Sequence, residues 1–175
     1  MGIGLKKSNI HVVFTLKNSR YDFQKGKRKK PFGFIGATFP FFDGEEEEIL
    51  IEELCDVALE LNLKLICLNF CGDHVHCLIC TEVEFLPKIM LLWKGKTAYN
   101  FNKRFLSKET EYSPNSAGNS TQGLWAKSYY QKVVKNENEL SSTVNYIIKN
   151  RIKHGLKPLS SVSSEKIAKT VSFIQ

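Results

Sequence analysis

Two hydrophobic periods run along the chain, and they divide it into strands and helices. Asn9 to Leu16 (Asn-Ile-His-Val-Val-Phe-Thr-Leu) is rich in β-branched residues and predicts a first strand. Beyond Asp43 the period lengthens, and Ile49, Leu50, Leu54, Val57, Ala58 and Leu61 recur at helical spacing. Asp43 is suited to cap that helix, with Glu46 three residues on and the acidic run Glu45 to Glu48 in the first turn. A helix N-terminus favours such acids through its dipole, so the run needs no metal to explain it. Leu63 to Phe70 and His74 to Thr81 read as strands joined by a Gly72-Asp73 turn, which predicts an antiparallel hairpin.

A second helix is expected from Leu86 to about Phe105, with Leu86, Ile89, Met90, Trp93, Ala98, Phe101 and Phe105 as its apolar stripe. Residues 107–123 are rich in Ser, Asn, Thr and Gly and read as a loop. Leu124 to Val134 predicts a fourth strand. Asn136 can cap a third helix, with Glu139 at the capping-box position and Gly155 and Pro158 marking its end. The tail from Leu159 onward leaves room for a short final helix. The order β-α-β-β-α-β-α predicts an α+β fold, a split βαβ, ferredoxin-like antiparallel sheet with helices on one face. One domain over residues 1–158 and a tail over 159–175 are expected.

Residues 17–30 are polar and end in the cationic cluster Lys25, Lys27, Arg28, Lys29 and Lys30. Residues 31–42 are aromatic and Gly-containing and read as a short hairpin or an ordered loop. The chain of 175 residues carries a formal net charge of +7, which favours a polyanionic partner. No apolar run approaches the roughly 18 residues of a membrane span, and the N-terminus lacks the apolar stretch of a secretory signal. A cytoplasmic protein without membrane attachment is expected. Cys67, Cys71, Cys77 and Cys80 lie among apolar residues and read as buried thiols. A zinc site is the alternative, since Cys77 and Cys80 have ligand spacing and His74 and His76 lie nearby. Within a strand, however, positions i and i+3 face opposite ways.

His74 and His76 flank one apolar residue in a strand, so both imidazoles lie on one face while Val75 and Cys77 point to the core. Two convergent imidazoles suit a divalent cation. Tyr146 and Asn150 are one helical turn apart. Leu140, Val144, Ile147 and Ile148 cluster on a different side of that helix, which places Tyr146 toward a cleft or solvent. Two histidines, an amide oxygen and a tyrosine suit transfer of a phosphodiester to the phenol, leaving a phosphotyrosine and a free 3′-hydroxyl. Such ligands suit magnesium or manganese and leave positions open for phosphate oxygens.

These residues carry a family resemblance. Gly72-Asp-His-Val-His-Cys-Leu-Ile79 resembles the HUH motif (His, hydrophobic, His) of single-tyrosine transposases. His11-Val-Val-Phe-Thr-Leu-Lys17 is similar to their first strand, Trp93-Lys-Gly-Lys-Thr-Ala98 to the stretch after the HUH strand, and Leu124-Trp-Ala-Lys-Ser-Tyr-Tyr130 to the strand before the catalytic helix. Tyr146-Ile-Ile-Lys-Asn-Arg-Ile-Lys-His-Gly-Leu156 resembles that helix, with an ending like REP-associated tyrosine transposases.

The resemblance implies that Tyr146 is the nucleophile, that His74 and His76 bind the metal, and that Asn150 is the third ligand. It implies a hairpin-forming single strand of DNA as substrate, cut and rejoined through a 5′-phosphotyrosine. Lys94 and Lys96, with the cluster at Lys25 to Lys30 beside Phe32 and Phe34, are then candidate DNA contacts. Tyr129 and Tyr130 are rival nucleophiles, read as packing or DNA-stacking residues. Some relatives are dimers that exchange catalytic helices and others act as monomers, so a homodimer is one expected arrangement. Two departures stand out: residues 18–42 are longer than the usual connection, and Arg151 stands where REP-associated relatives often have Pro. The alternatives are a domesticated relative that binds hairpin DNA or RNA without chemistry, and a zinc-stabilised regulatory domain.

Overall fold

A computed structural model describes residues 6–17, 42, 44–109 and 123–171. The expected hairpin or loop at 31–42 (apart from Phe42), the cap at Asp43, most of the loop at 107–123 and the cationic cluster from Lys25 to Lys30 lie outside the described residues. Four strands form one antiparallel sheet: β1 (Ser8–Thr15), β2 (Lys64–Phe70), β3 (His74–Thr81) and β4 (Tyr130–Val134), in the order β2-β3-β1-β4. Helix α1 (Gly44–Glu60) connects β1 to β2, and α2 (Leu86–Glu109) follows β3 after a short 3-10 turn. Helix α3 (Glu137–Lys153) follows β4, and α4 (Ser161–Thr170) ends the described chain. This is the expected α+β, split βαβ arrangement.

The sheet has two different faces because side chains alternate along each strand. Ile10, Val12 and Phe14 of β1 pair with Ile79, Cys77 and Val75 of β3. Together with Leu65, Leu68 and Phe70 of β2 they form the main core under α1 and α2. Leu50, Leu54 and Ala58 of α1 and Leu86, Met90 and Trp93 of α2 fill that layer. The buried indole of Trp93 donates to the Leu54 carbonyl at 2.8 Å, which ties α2 to α1.

The opposite face is mixed. Cys67 and Leu78 are buried there under Ile147 of α3, with Ile66, Val134, Leu140 and Val144 packed around them. Thus α1 and α2 share one face as expected, while α3 covers part of the other. Ile148 departs from its expected place in the apolar stripe and is 59% exposed. Strand β4 is also shorter than the expected Leu124–Val134. Before it, Trp125 makes an isolated bridge to Leu16, and the chain then runs irregularly to Tyr130.

Both ends of α3 are fixed. At the start, the Asn136 side chain accepts from the Glu139 amide at 2.9 Å, and the Glu139 carboxylate accepts from the Lys135 amide at 2.8 Å. This is a capping box reaching back one residue further than usual. At the end, Gly155 has a φ of +68°. The Gly155 and Leu156 amides bond back to Ile152 and Arg151, closing the helix in a Schellman turn. Arg151 then locks this end to the rest of the molecule. Its buried guanidinium donates to both carboxylate oxygens of Glu47 on α1, at 2.5 and 3.3 Å, and to the carbonyls of Phe70 and Lys157. Helix α4 packs on α1, with Leu159, Ile167 and Val171 against the main core and Lys166 bridged to Asp56 at 2.6 Å. No helix among the described residues is long and apolar enough to cross a membrane.

Removing one partner of a buried ion pair strands the other charge in a low-dielectric interior. Arg151→Met is therefore expected to lower unfolding stability in urea by about 3–5 kcal/mol. Glu47→Leu combined with Arg151→Met is expected to recover more than half of that loss.

Candidate active site

The hairpin turn between β2 and β3 sets the first histidine. Gly72 has a φ of +76°, a conformation that favours glycine and lets the chain reverse within three residues. Asp73 follows with its carboxylate turned back onto the His74 Nδ1 at 2.6 Å, and both side chains are buried. Period-two alternation then brings His76 to the same face, with the two imidazole centroids 5.0 Å apart. Val75 and Cys77 face the core, as expected.

Cross-strand pairing brings further groups onto this face. Val13 lies opposite His76 on one side, and Asn69 lies opposite it on the other. Asn69 Nδ2 donates to the carbonyls of Ile147 and Ile148 at 2.6 and 3.3 Å. This bond pins the middle of α3 beside the histidine pair. His11 of β1 stacks on His76 with its Nε2 3.2 Å from the His76 Nδ1. Burial is the main force lowering the His76 imidazolium pKa, to about 3, assisted by the charges of His74, His11, His154 and Lys153. Burial followed by the Lys132 charge lowers His11 as well. His76 is thus neutral at pH 7, the form that binds metals.

Tyr146 meets these residues across an open cleft of about 660 Å³ between the sheet and α3. Its ring is edge-on to His76 at 5.5 Å and to His11 at 6.0 Å, and it is 44% exposed. The structure therefore brings His74, His76 and Tyr146 together. Tyr130 and Lys132 of β4 line the same cleft, as do Lys153 and His154 at the end of α3. Lys153 holds its ammonium 5.5 Å from the Tyr146 ring centroid, and His154 lies 5.2 Å from His74 between ring centroids.

Asn150 is placed differently. It is buried, does not line the cleft, and its Oδ1 accepts from the Cys71 thiol at 3.6 Å. Its Nδ2 is buried without a hydrogen-bond partner. Rotating the amide by 180° would put the oxygen at that vacant position and leave the nitrogen to donate to the sulfur. Oxygen and nitrogen of an amide are assigned by such networks. Turned that way, Asn150 is the residue that would complete a divalent-cation site with His74 and His76. Among the described residues, no group of three or more His, Cys, Asp or Glu side chains is placed to hold a metal ion. Cys77 points into the core and Cys80 lies near the surface, which gives the zinc reading no shared face.

Lys94 and Lys96 of α2 do not line the cleft. Lys94 is buried, and its ammonium donates to the carbonyls of Ala126, Lys127 and Ser128 at 2.5, 3.2 and 3.4 Å. It is an internal strut for the irregular segment before β4, a place other than the cleft edge expected of a DNA contact. Lys96 is bridged to Glu60 on the surface. Tyr129 packs on the main core under Lys94, as expected for a packing residue. The sequence reading missed His11, Lys132, Lys153 and His154. His11 was within reach of it, since alternation puts His11 on the face opposite Val12, and β1 lies beside β3 in the ferredoxin-like order.

The Transposase IS200 like family model matches residues 5–150. The chain belongs to the IS200-like transposase family. A solved structure of a Deinococcus radiodurans protein, described as a candidate transposase, is similar with a TM-score of 0.50. It is 20% identical, with 86% of this chain and 96% of that chain covered. A REP-associated tyrosine transposase bound to a REP hairpin is similar with a TM-score of 0.53 and 12% identity, covering 90% of this chain and 74% of that one. No curated protein matches the sequence. The family match stops at Asn150, so Arg151, Lys153 and His154 of the transposase lie beyond it.

Lys94→Met strands buried carbonyls, so it is expected to lower stability by about 1–3 kcal/mol. Lys96→Ala removes one exposed ion pair, so it is expected to cost less than about 1 kcal/mol. Thermal unfolding of the two variants, side by side, checks the contrast.

Proposed function

We propose that this transposase cleaves and rejoins single-stranded DNA through a covalent bond to Tyr146, with a divalent metal at His74, His76 and Asn150. The supporting observation is the convergence of Tyr146 on the two buried histidines across one open cleft. In the cleavage step the Tyr146 Oη attacks the scissile phosphorus and the 3′ oxygen leaves. A P–O bond to the tyrosine forms as the P–O3′ bond breaks. The phenol loses its proton, and the departing oxygen gains one to become a 3′-hydroxyl. Rejoining runs the same exchange backward with a new 3′-hydroxyl.

The chain's own groups prepare this step. The Lys153 ammonium lies over the Tyr146 ring, 5.5 Å from its centroid, and is a candidate contact for a phosphate brought to that tyrosine. Lys132 on the cleft wall is paired with Glu139 at 2.6 Å. The Asp73 carboxylate orients His74 so that its Nε2 is turned away from the carboxylate. When bound, magnesium or manganese would polarise the scissile phosphate and stabilise its developing charge.

A hairpin-forming strand is the proposed substrate, because a relative of the same fold is described as bound to a REP hairpin. The cationic cluster Lys25, Lys27, Arg28, Lys29 and Lys30 is a proposed contact for its backbone. We also propose that Tyr146 serves the histidines of its own chain. Helix α3 begins two residues after β4 under a reciprocal cap and is held at its far end by Arg151. A homodimer would then pair two complete sites.

The test is a cleavage reaction on labelled hairpin DNA from the flanks of the gene, with manganese, read on a denaturing gel. Wild type is expected to give a DNA–protein adduct. Tyr146→Phe is expected to give none, and Tyr130→Phe to retain it. An adduct that survives Tyr146→Phe and vanishes in Tyr130→Phe would move the nucleophile to β4. Binding without an adduct under any metal would make the protein a hairpin-binding relative.

A further inference from the structure

The two motif histidines are held in the same way by different partners. His74 has its Nδ1 on the Asp73 carboxylate at 2.6 Å. His76 has its Nδ1 on the Nε2 of His11 at 3.2 Å, with the two rings stacked 19° from parallel. For His76, whose Nδ1 faces His11, Nε2 is the ring nitrogen left for another ligand. His11 is 8% exposed and comes from a central strand, so its ring is fixed by packing on both sides.

We infer that His11 is a positioning residue for the metal site: it accepts the Nδ1 proton of His76 and so holds that ring with its Nε2 lone pair toward the cleft. This rests on the proposed metal site at His74 and His76. One proton is shared between the two facing nitrogens. With the proton on His76 Nδ1, the His76 Nε2 is bare and can ligate. With the proton on His11 Nε2, His76 would carry its own proton on Nε2 and could not. Partners of a ligating imidazole's other nitrogen commonly set metal affinity by roughly 10–100-fold. An imidazole partner differs from the carboxylate on His74 in adding no negative charge. It orients the second ligand without placing a second carboxylate beside the phosphate.

Calorimetric titration with manganese tests this on the full chain, with His74→Ala as the control that lacks a ligand. His11→Ala is expected to weaken manganese binding roughly 10–100-fold. His11→Gln places an acceptor oxygen at the reach of the imidazole Nε2 and is expected to restore most of the affinity. Nitrogen-15 NMR of the metal-free protein reads the same bond without metal. His76 is expected to carry its proton on Nδ1 in wild type and to shift toward the Nε2–H form in His11→Ala. Unfolding curves of both variants show whether either merely fails to fold.

Equal manganese affinity in wild type and His11→Ala would overturn the inference. So would an Nε2–H proton on His76 in wild type. Loss of affinity in both His11 variants with an unchanged His76 tautomer would also overturn it, by making His11 act on the metal directly. No manganese binding by wild type at any concentration would instead sink the proposed metal site, and the NMR result would still decide the His11–His76 bond.

Discussion

The alternation along β3 is the constraint on which the rest of the molecule depends. Val75, Cys77 and Ile79 are wholly buried in the main core, and His74 and His76 are thereby forced onto the other face. A slip of one residue would drive both imidazoles under α1 and α2 and expose the aliphatic set. The core therefore fixes the register that the chemistry needs. Pairing with β1 adds His11 to the same face, and pairing with β2 adds Asn69.

That face carries the proposed site only because a helix is held over it. Its apolar half, around Leu78 and Cys67, provides the seat for Ile147 of α3. Its polar half meets Tyr146 one residue earlier on the helix. A single apolar anchor would let the helix rotate, but Asn69 grips its middle and Arg151 its end. Arg151 holds that end through a buried ion pair that reaches across to Glu47 of α1.

Much of this was legible in the sequence, and the failures have physical causes. Local chemistry is written locally: the Asn136 cap, the Gly155 stop and the two strands around Gly72-Asp73 all appear where the side chains predicted them. Residues 124–129 were over-read as strand because their apolar and aromatic content resembles one. The carbonyls of Ala126, Lys127 and Ser128 turn to Lys94 instead, a contact made by a residue about thirty positions away. The same contact explains why Lys94 looked like a surface cation. Alternation alone gave His11 a face, but its partner His76 is 65 residues distant, and only strand order joins them. The exposed Ile148 reflects the limited width of the apolar seat under α3.

The central claim is that one chain builds one complete site, with Tyr146 over its own histidine pair. Co-expression of Tyr146→Phe with His76→Ala tests it most directly, because each variant supplies the half that the other lacks. The account predicts that the co-purified mixture forms no DNA–protein adduct, as neither chain carries a whole site. An adduct in the mixture, absent from each variant alone, would show that α3 reaches a second chain and would contradict the account.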